Sequence, residues 1–209
     1  MLRVTIFTGL HHNMKIAIHQ PEHFPYMGFF DKMQSVDTFV ILDNVKFNRR
    51  NFQHRNKIEN HRGEDEWFGM QVPRESKYQL INQVTPVSDG GWRDSTIKQL
   101  KREVNVDTAE IYRHSKLIDI NMASIEWARD KLKITTPMLL ASNMNCTGSK
   151  SELLISICKA IDTEEHITYV SGSGGQNYMD MELFKQNEID VTYHESDVPN
   201  YYSCLYNLK

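Results

Sequence analysis

Cysteine is scarce: Cys146, Cys158 and Cys204 are the three among 209 residues. Odd in number and irregularly spaced, they exclude a disulfide framework and a cysteine metal knuckle, and a reducing cytoplasm is the simplest setting. No apolar run approaches the roughly 20 residues that a membrane-spanning helix needs. Neither sign of charge dominates. A net charge of −3 and a pI near 6.3 leave no global pull toward nucleic acid or an anionic membrane, so any such binding would have to be local. Internal repeats and low-complexity tracts are absent. Also absent are the Gly-x-Gly-x-x-Gly fingerprint, a phosphate loop closing on Gly-Lys-Ser/Thr and a Gly-x-Ser-x-Gly nucleophile elbow.

The length fits one domain with a substantial core. Val4, Ile6, Phe7 and Leu10 make too short a run for a signal peptide. Residues 1–13 read as a loosely attached extension before a natural start at Met14-Lys15. Residues 14–209 read as a single α/β domain, cut short of a closing segment expected after Tyr201-Tyr202.

Within residues 15–36 an apolar strand, Lys15 to Ile18, runs into a polar elbow holding His19, Gln20, Glu22 and His23, and then into a helix. Pro21 and Pro25 restrict the backbone on either side of Phe24. Met27, Phe30, Met33 and Val36 recur near the spacing of a buried helical face. Strand, elbow and helix form one unit, placed where open α/β sheets bind ligands.

Residues 38–43 read as a buried strand ending in the carboxylate of Asp43. A long polar segment, 44–66, follows. Residues 67–72 and 80–87 are expected to be two strands of an inserted antiparallel hairpin around Pro73-Arg74-Glu75-Ser76. Helices are predicted at 92–104 and from Leu117 to Leu132, the helical middle being an insertion or lid. From residue 138 the order is regular: strand 138–141, helix 150–161, strand 167–170, helix 178–186, strand 189–193. A capping box of Ser149 and Glu152 opens the first of these helices. Alternation at both ends of the chain indicates a three-layer α/β fold with an open, mostly parallel sheet.

Three constellations carry chemistry. His19 and Gln20, at the carboxyl end of the first strand, are the candidate catalytic pair: the imidazole serves as general base or phosphate donor, the amide as an orienting group. The bland alternative is a capping histidine. His23 is the weaker candidate. The second constellation is basic: Lys46, Arg49, Arg50, Arg55, Lys57 and Arg62 stand against Glu59 alone, interleaved with Phe47, Phe52 and Gln53. Arginine's planar fork suits the diphosphate of an activated sugar, the same alternation serves single-stranded nucleic acid, and a solvated loop is the plain alternative. The third is the glycine-rich turn Ser171-Gly172-Ser173-Gly174-Gly175, after a strand and before a helix, suited to an anionic group. The candidate substrate-binding set is Tyr26, Asp43, Arg49, Arg50, Gln53, Arg55, Asn56, Ser171, Gly172, Gly174, Gly175 and Tyr178. A metal site is disfavoured: His19 and His23 have zinc-helix spacing, but Pro21 lies between them and Gln20 stands where that motif has its Glu. Cys204 has no evident basic partner, so a catalytic thiol is disfavoured as well.

His19-Gln20-Pro21, Pro25, Gly28-Phe29-Phe30, Lys32, Asp37, Phe39 to Asp43, Asn51-Phe52-Gln53, Arg55-Asn56, Ile58, Trp67, Tyr169 to Gly172, Gly174-Gly175 and Tyr178 together resemble the signature of the WbqC-like family. These are bacterial proteins encoded with genes for polysaccharide and amino-sugar biosynthesis. Tyr26 departs from the pattern, which usually has Trp there. The resemblance implies a pathway more than a chemistry. The leading expectation is a cytoplasmic transferase of surface-polysaccharide (O-antigen) biosynthesis that moves an acyl or aminoacyl group onto the amine of a nucleotide-linked sugar. In it His19 takes the amine proton, and Arg49, Arg50 and Arg55 hold the phosphates. The partner is a nucleotide-linked sugar or another phosphorylated small molecule, and no cofactor is assigned. The alternatives are a non-catalytic nucleotide- or RNA-binding module and a scaffold subunit. At a coarse level the opening unit also resembles nucleotidylyltransferase-like folds, with the second His one residue late.

Overall fold

A computed structural model describes residues 13–88, 90–177, 179–198 and 200–208. Five strands, β1 (Met14–His19), β2 (Thr38–Ile41), β5 (Met138–Leu140), β6 (Ile167–Gly172) and β7 (Ile189–His194), form one sheet in the order β5-β2-β1-β6-β7. Every pairing in it is parallel. β2 is buried along its whole length, as continuous apolar runs in covered parallel sheets are.

Alternation along β1 splits the core in two. Ala17 joins Phe39, Ile41 and Val170 on one face, beneath α1 (Met27–Gln34) and α3 (Leu117–Leu132). Ile16, Ile18, Val40 and Tyr169 face the opposite way, against α4 (Ser151–Lys159) and, through Phe184, α5 (Met181–Gln186). The result is the expected three-layer α/β architecture. Between β2 and β5 the chain inserts a two-stranded hairpin and two helices, α2 (Trp92–Val104) and α3.

The hairpin is real, but of the two expected strands only the first overlaps it, at residues 67–69. It pairs β3 (Arg55–Glu59) with β4 (Asp65–Gly69), antiparallel. Residues 80–87 instead wrap as a 3-10 turn at Ile81–Gln83 and an extended stretch whose Val84 carbonyl accepts from Leu117 N at 3.0 Å. Ile81 and Val84 are fully buried by this packing, without a strand partner. The capping box forms by half: Glu152 accepts from Ser149 N at 3.4 Å, but the Ser149 hydroxyl caps nothing and α4 starts after Lys150, at φ +49. The expected helix from 178 begins later, at Met181, capped by Asp180 accepting from Leu183 N at 3.1 Å. The expected extension at residues 1–13 lies, but for Asn13, outside the described residues.

Candidate functional site

The chain leaves β1 toward β2 on one side, and β6 continues to β7 on the other. The carboxyl ends of β1 and β6 therefore flank the point at which strand order reverses. A cavity of about 460 Å³ opens there, lined by His19, Gln20 and Glu22 from the elbow, Lys32 from α1, Asn51 to Gln53, and Ser171, Gly172, Gly174 and Gly175. A second, of about 420 Å³, shares His19, Lys32, Gly172 and Gly174 with it and extends to Tyr26, His194, Ser196 and Tyr201. His19 and Lys32 thus form a common wall between two spaces. A groove of about 520 Å³ between α4 and α5 is more open to solvent, and its Lys159 is bound to Asn187 at 2.7 Å.

The elbow is held from below. His23 N donates to Phe52 O (2.8 Å), Phe24 N to Ser124 Oγ (3.1 Å), and the buried Asn56 amide to the His23 and Phe24 carbonyls (3.1 and 2.8 Å). Phe24 takes a φ of +43, costly for a bulky residue, and is sustained by its burial among Phe68, Tyr112 and Trp127. Cys204 N donates to Pro25 O at 2.8 Å and Ser203 N to Lys57 O at 2.9 Å, so the C-terminal segment ties elbow to hairpin.

His19 lies with its Nδ1 3.0 Å from the Gln20 carbonyl. A carbonyl can only accept, so Nδ1 carries the hydrogen and Nε2 is the bare acceptor. Burial, and then the Lys32 charge, lowers the imidazolium pKa to about 3, against a weaker opposing effect of that bond. His19 is therefore neutral at physiological pH. Gln20 is oriented through a relay: Asn48 N donates to Gln53 Oε1 (2.9 Å) and Gln53 Nε2 to Gln20 Oε1 (2.7 Å). Asn121 of α3 holds the Gln53 carbonyl at 2.7 Å. With its oxygen so occupied, Gln20 turns its NH₂ to the cavity as a donor.

Two charged residues outside the candidate set complete the wall. Lys32 is 4% exposed, its Nζ 3.5 Å from the Ile18 carbonyl and 5.8 Å from the Phe39 ring centroid. Burial lowers its pKa to about 8, with Glu22 opposing. Burial raises Glu22 to about 7, with Lys32 opposing, and its Oε2 is shut from solvent without a hydrogen-bond partner. The signal for both was present: a lysine beside Phe29 and Met33 in an apolar helix, and a glutamate inside the elbow.

The other candidates divide. Tyr26 lines the second cavity, its ring 5.3 Å from Tyr201, its hydroxyl pushed up to about 12 chiefly by burial. Gly172 and Gly174 have nothing within 4 Å of where a Cβ would stand, while one on Gly175 would meet Ser171 Oγ at 2.1 Å. Side chains at 172 or 174 would fill the cavity. One at 175 would displace Ser171. Asp43 lies away from the cavities, accepting from Ser142 N and Oγ at 2.9 and 2.6 Å and so joining the ends of β2 and β5. Arg49 donates to the Val72 and Pro73 carbonyls (2.8 and 3.0 Å), Arg50 is exposed, and the Arg55 guanidinium lies 4.5 Å over Trp67. None of the three lines either cavity. His23 is fully buried with its Nε2 2.8 Å from the Tyr112 hydroxyl, a core residue. Tyr178 lies outside the described residues. Among those described, no three His, Cys, Asp or Glu side chains converge on a metal position, and no helix is long and apolar enough to cross a membrane.

The model of the WbqC-like protein family matches residues 20–207, from the elbow to the last described turn. The chain belongs to that family. It is also 25% identical over 195 residues to the uncharacterized protein Rv1507c of Mycobacterium tuberculosis, covering 88% of this chain and 83% of that protein. No solved structure matches. The WbqC-like match thus contains the elbow from Gln20 onward, Lys32, the Gln53 relay and the glycine turn, and starts one residue after His19.

Proposed function

We propose that this WbqC-like protein is a transferase that joins an acyl or aminoacyl group to the amine of a nucleotide-linked amino sugar in surface-polysaccharide biosynthesis. The observation that carries the reading is the pair of cavities meeting at His19 and Lys32, large enough together for a donor and an acceptor with the reacting atoms between them. The anionic part of a ligand rests on Lys32 and the backbone of the glycine turn, not on the arginines of the basic segment. Neutral His19 accepts a hydrogen bond from the amine at Nε2 and aims its lone pair, and the Gln20 NH₂ fixes an acceptor oxygen on the sugar. The amino-sugar pathway is what family resemblance implies.

Thermal unfolding of the purified protein against UDP- and dTDP-amino sugars, acyl-CoA and a short RNA tests this. A ligand at about 100 times its dissociation constant adds about 2.7 kcal/mol, a visible shift. Stabilisation by a nucleotide-amino sugar and not by RNA supports the transferase. Stabilisation by RNA alone, lost steeply with added salt, replaces it with a nucleic-acid-binding module.

A further inference from the structure

We propose that Glu22 is the group that recognises the substrate's amine and takes the proton it sheds, while Lys32 in the same cavity wall pairs with the ligand's anionic part. This assignment rests on the amine-acceptor reading above and goes beyond it by naming the base.

The argument is one of unmet hydrogen bonding. Glu22 lines the larger of the two connected cavities, and its Oε2 is inaccessible to solvent and without a partner. A buried carboxylate oxygen left unpaired is costly, and such atoms in native proteins point to an absent partner. For the carboxylate form that partner is a donor. His19 Nε2, left bare because Nδ1–H is committed to the Gln20 carbonyl, is a second acceptor in the same wall. A hydroxyl carries one hydrogen and can satisfy one of these atoms, whereas an ammonium carries three. Lys32, almost wholly buried on the same wall, feels Glu22 as an opposing charge but makes no ion pair among the described residues, so a ligand anion beside it would complete its pairing. The ligand that meets all three is one with an amine at one end and a phosphate at the other.

The same surroundings separate the two acceptors as bases. His19 is held neutral by burial and by Lys32 and cannot keep a proton near pH 7. The Glu22 carboxyl, raised by burial to about 7, can both take one and release it. In the transfer, the bound ammonium first gives one proton to Glu22, which passes it to water. The freed amine nitrogen then attacks the carbonyl carbon of an activated acyl donor, a thioester or acyl phosphate, shedding its second proton as the amide forms. The N–C bond forms, the bond from that carbon to sulfur or oxygen breaks, and the leaving group departs with the electron pair. That second proton likewise passes to Glu22 and from there to water.

Calorimetric binding of glucosamine 1-phosphate and glucose 1-phosphate to the full chain, alongside the corresponding UDP-linked pair, tests the assignment. Wild-type protein is expected to prefer the amino compound by about ten-fold or more, the worth of a hydrogen bond to a charged group. Glu22→Gln brings that ratio to about one without weakening glucose 1-phosphate, Glu22→Asp gives an intermediate ratio, and Lys32→Met weakens both compounds together. A preference that survives Glu22→Gln overturns the assignment and leaves the amino-sugar reading standing. Glu22-dependent preference among the simple phosphates, with no binding of the UDP-linked pair, supports Glu22 and sinks the nucleotide-sugar reading. No preference in the wild type overturns the assignment whether or not any variant folds.

Discussion

The cavity at the ends of β1 and β6 and the basic segment from Lys46 to Arg62 differ in how they use charge. The basic segment has most of the local positive charge, and three of its six cations, Arg49, Arg55 and Lys57, brace neighbouring structure. Arg49 braces two carbonyls, Arg55 covers Trp67, and Lys57 pairs with Asp65 at 2.7 Å while lying 5.1 Å from the Tyr202 ring. The cavity has one cation and one carboxyl, both so enclosed that their pKa values move toward neutrality. A charge in water is screened and weak, whereas a charge in a closed polar wall is expensive to maintain and so marks chemistry. Density of charge along the sequence and the enclosure of a few charges therefore point to different parts of the molecule.

If the hairpin is scaffold and the cavity is site, damage to the hairpin should act on stability first. Gly69 shows this most strongly. Its φ is +152, and an added Cβ would stand 2.4 Å from the His54 carbonyl oxygen and 2.6 Å from Arg55 Cα, backbone atoms that cannot swing aside. Gly69→Ala should cost about 3 kcal/mol from strain and overpacking, read by urea denaturation. Ligand-induced stabilisation should persist in the folded fraction. Next in size is Asn56→Ala, which orphans the two elbow carbonyls that the amide serves. A loss of about 2 kcal/mol is expected, and an unchanged midpoint would mean that the elbow holds its shape without the hairpin.

pH sharpens the comparison from the cavity side. Glu22 has its folded pKa raised from 4.5 to about 7, so its contribution to stability is whole below about pH 4.5 and is lost as pH rises through that window. The histidines act oppositely. His19 and His23 are depressed to about 3 and His54 to about 4, so acid destabilises through them. The difference between wild type and Glu22→Gln isolates the carboxyl from Lys32, His19 and Tyr26, which face it. That difference should shift against the wild type between pH 4.5 and 7 and stay level from there to the onset of Lys32 titration near 8. A flat difference across the lower window would show that Glu22 is solvated like an ordinary surface carboxyl.

Much of this architecture was legible in the residues. Continuous apolar runs located the central strands, and helical periodicity located α2 and α3 to the residue, because burial on both faces or along one stripe writes a clean pattern. The hairpin was displaced for the converse reason. β3 reads Arg-Asn-Lys-Ile-Glu and turns inward only Asn56 and Ile58, so the hydrophobic alternation that marks a strand is nearly missing. Leu80 to Val87 is apolar because it packs beneath α3, and Pro86 has no amide hydrogen to give a ladder. At the site, the elbow and glycine turn were visible as loops after strands. The convergence of Glu22 and Lys32 was not, since it depends on how α1 lies against β1. Arg49 and Arg50 were drawn in by local charge and fork chemistry, and Arg55 by the family pattern as well, without any view of where their guanidinium groups end.

The smallest expected effect is the sharpest test of the contrast. Arg50 is exposed, with only its backbone N–H bound, to Asn48 Oδ1 at 3.0 Å. Arg50→Ala should change stability by no more than about 0.5 kcal/mol, as surface substitutions do. The shift that a nucleotide-amino sugar produces in thermal unfolding should be the same in the variant and the parent, because the guanidinium lines neither cavity. A null result here is informative, since the same substitution would remove about one unit of salt slope from any complex in which Arg50 meets a phosphate. Loss of the ligand's shift in this variant would move the anion site out of the sheet edge and onto the basic segment, and with it the division between scaffold and site.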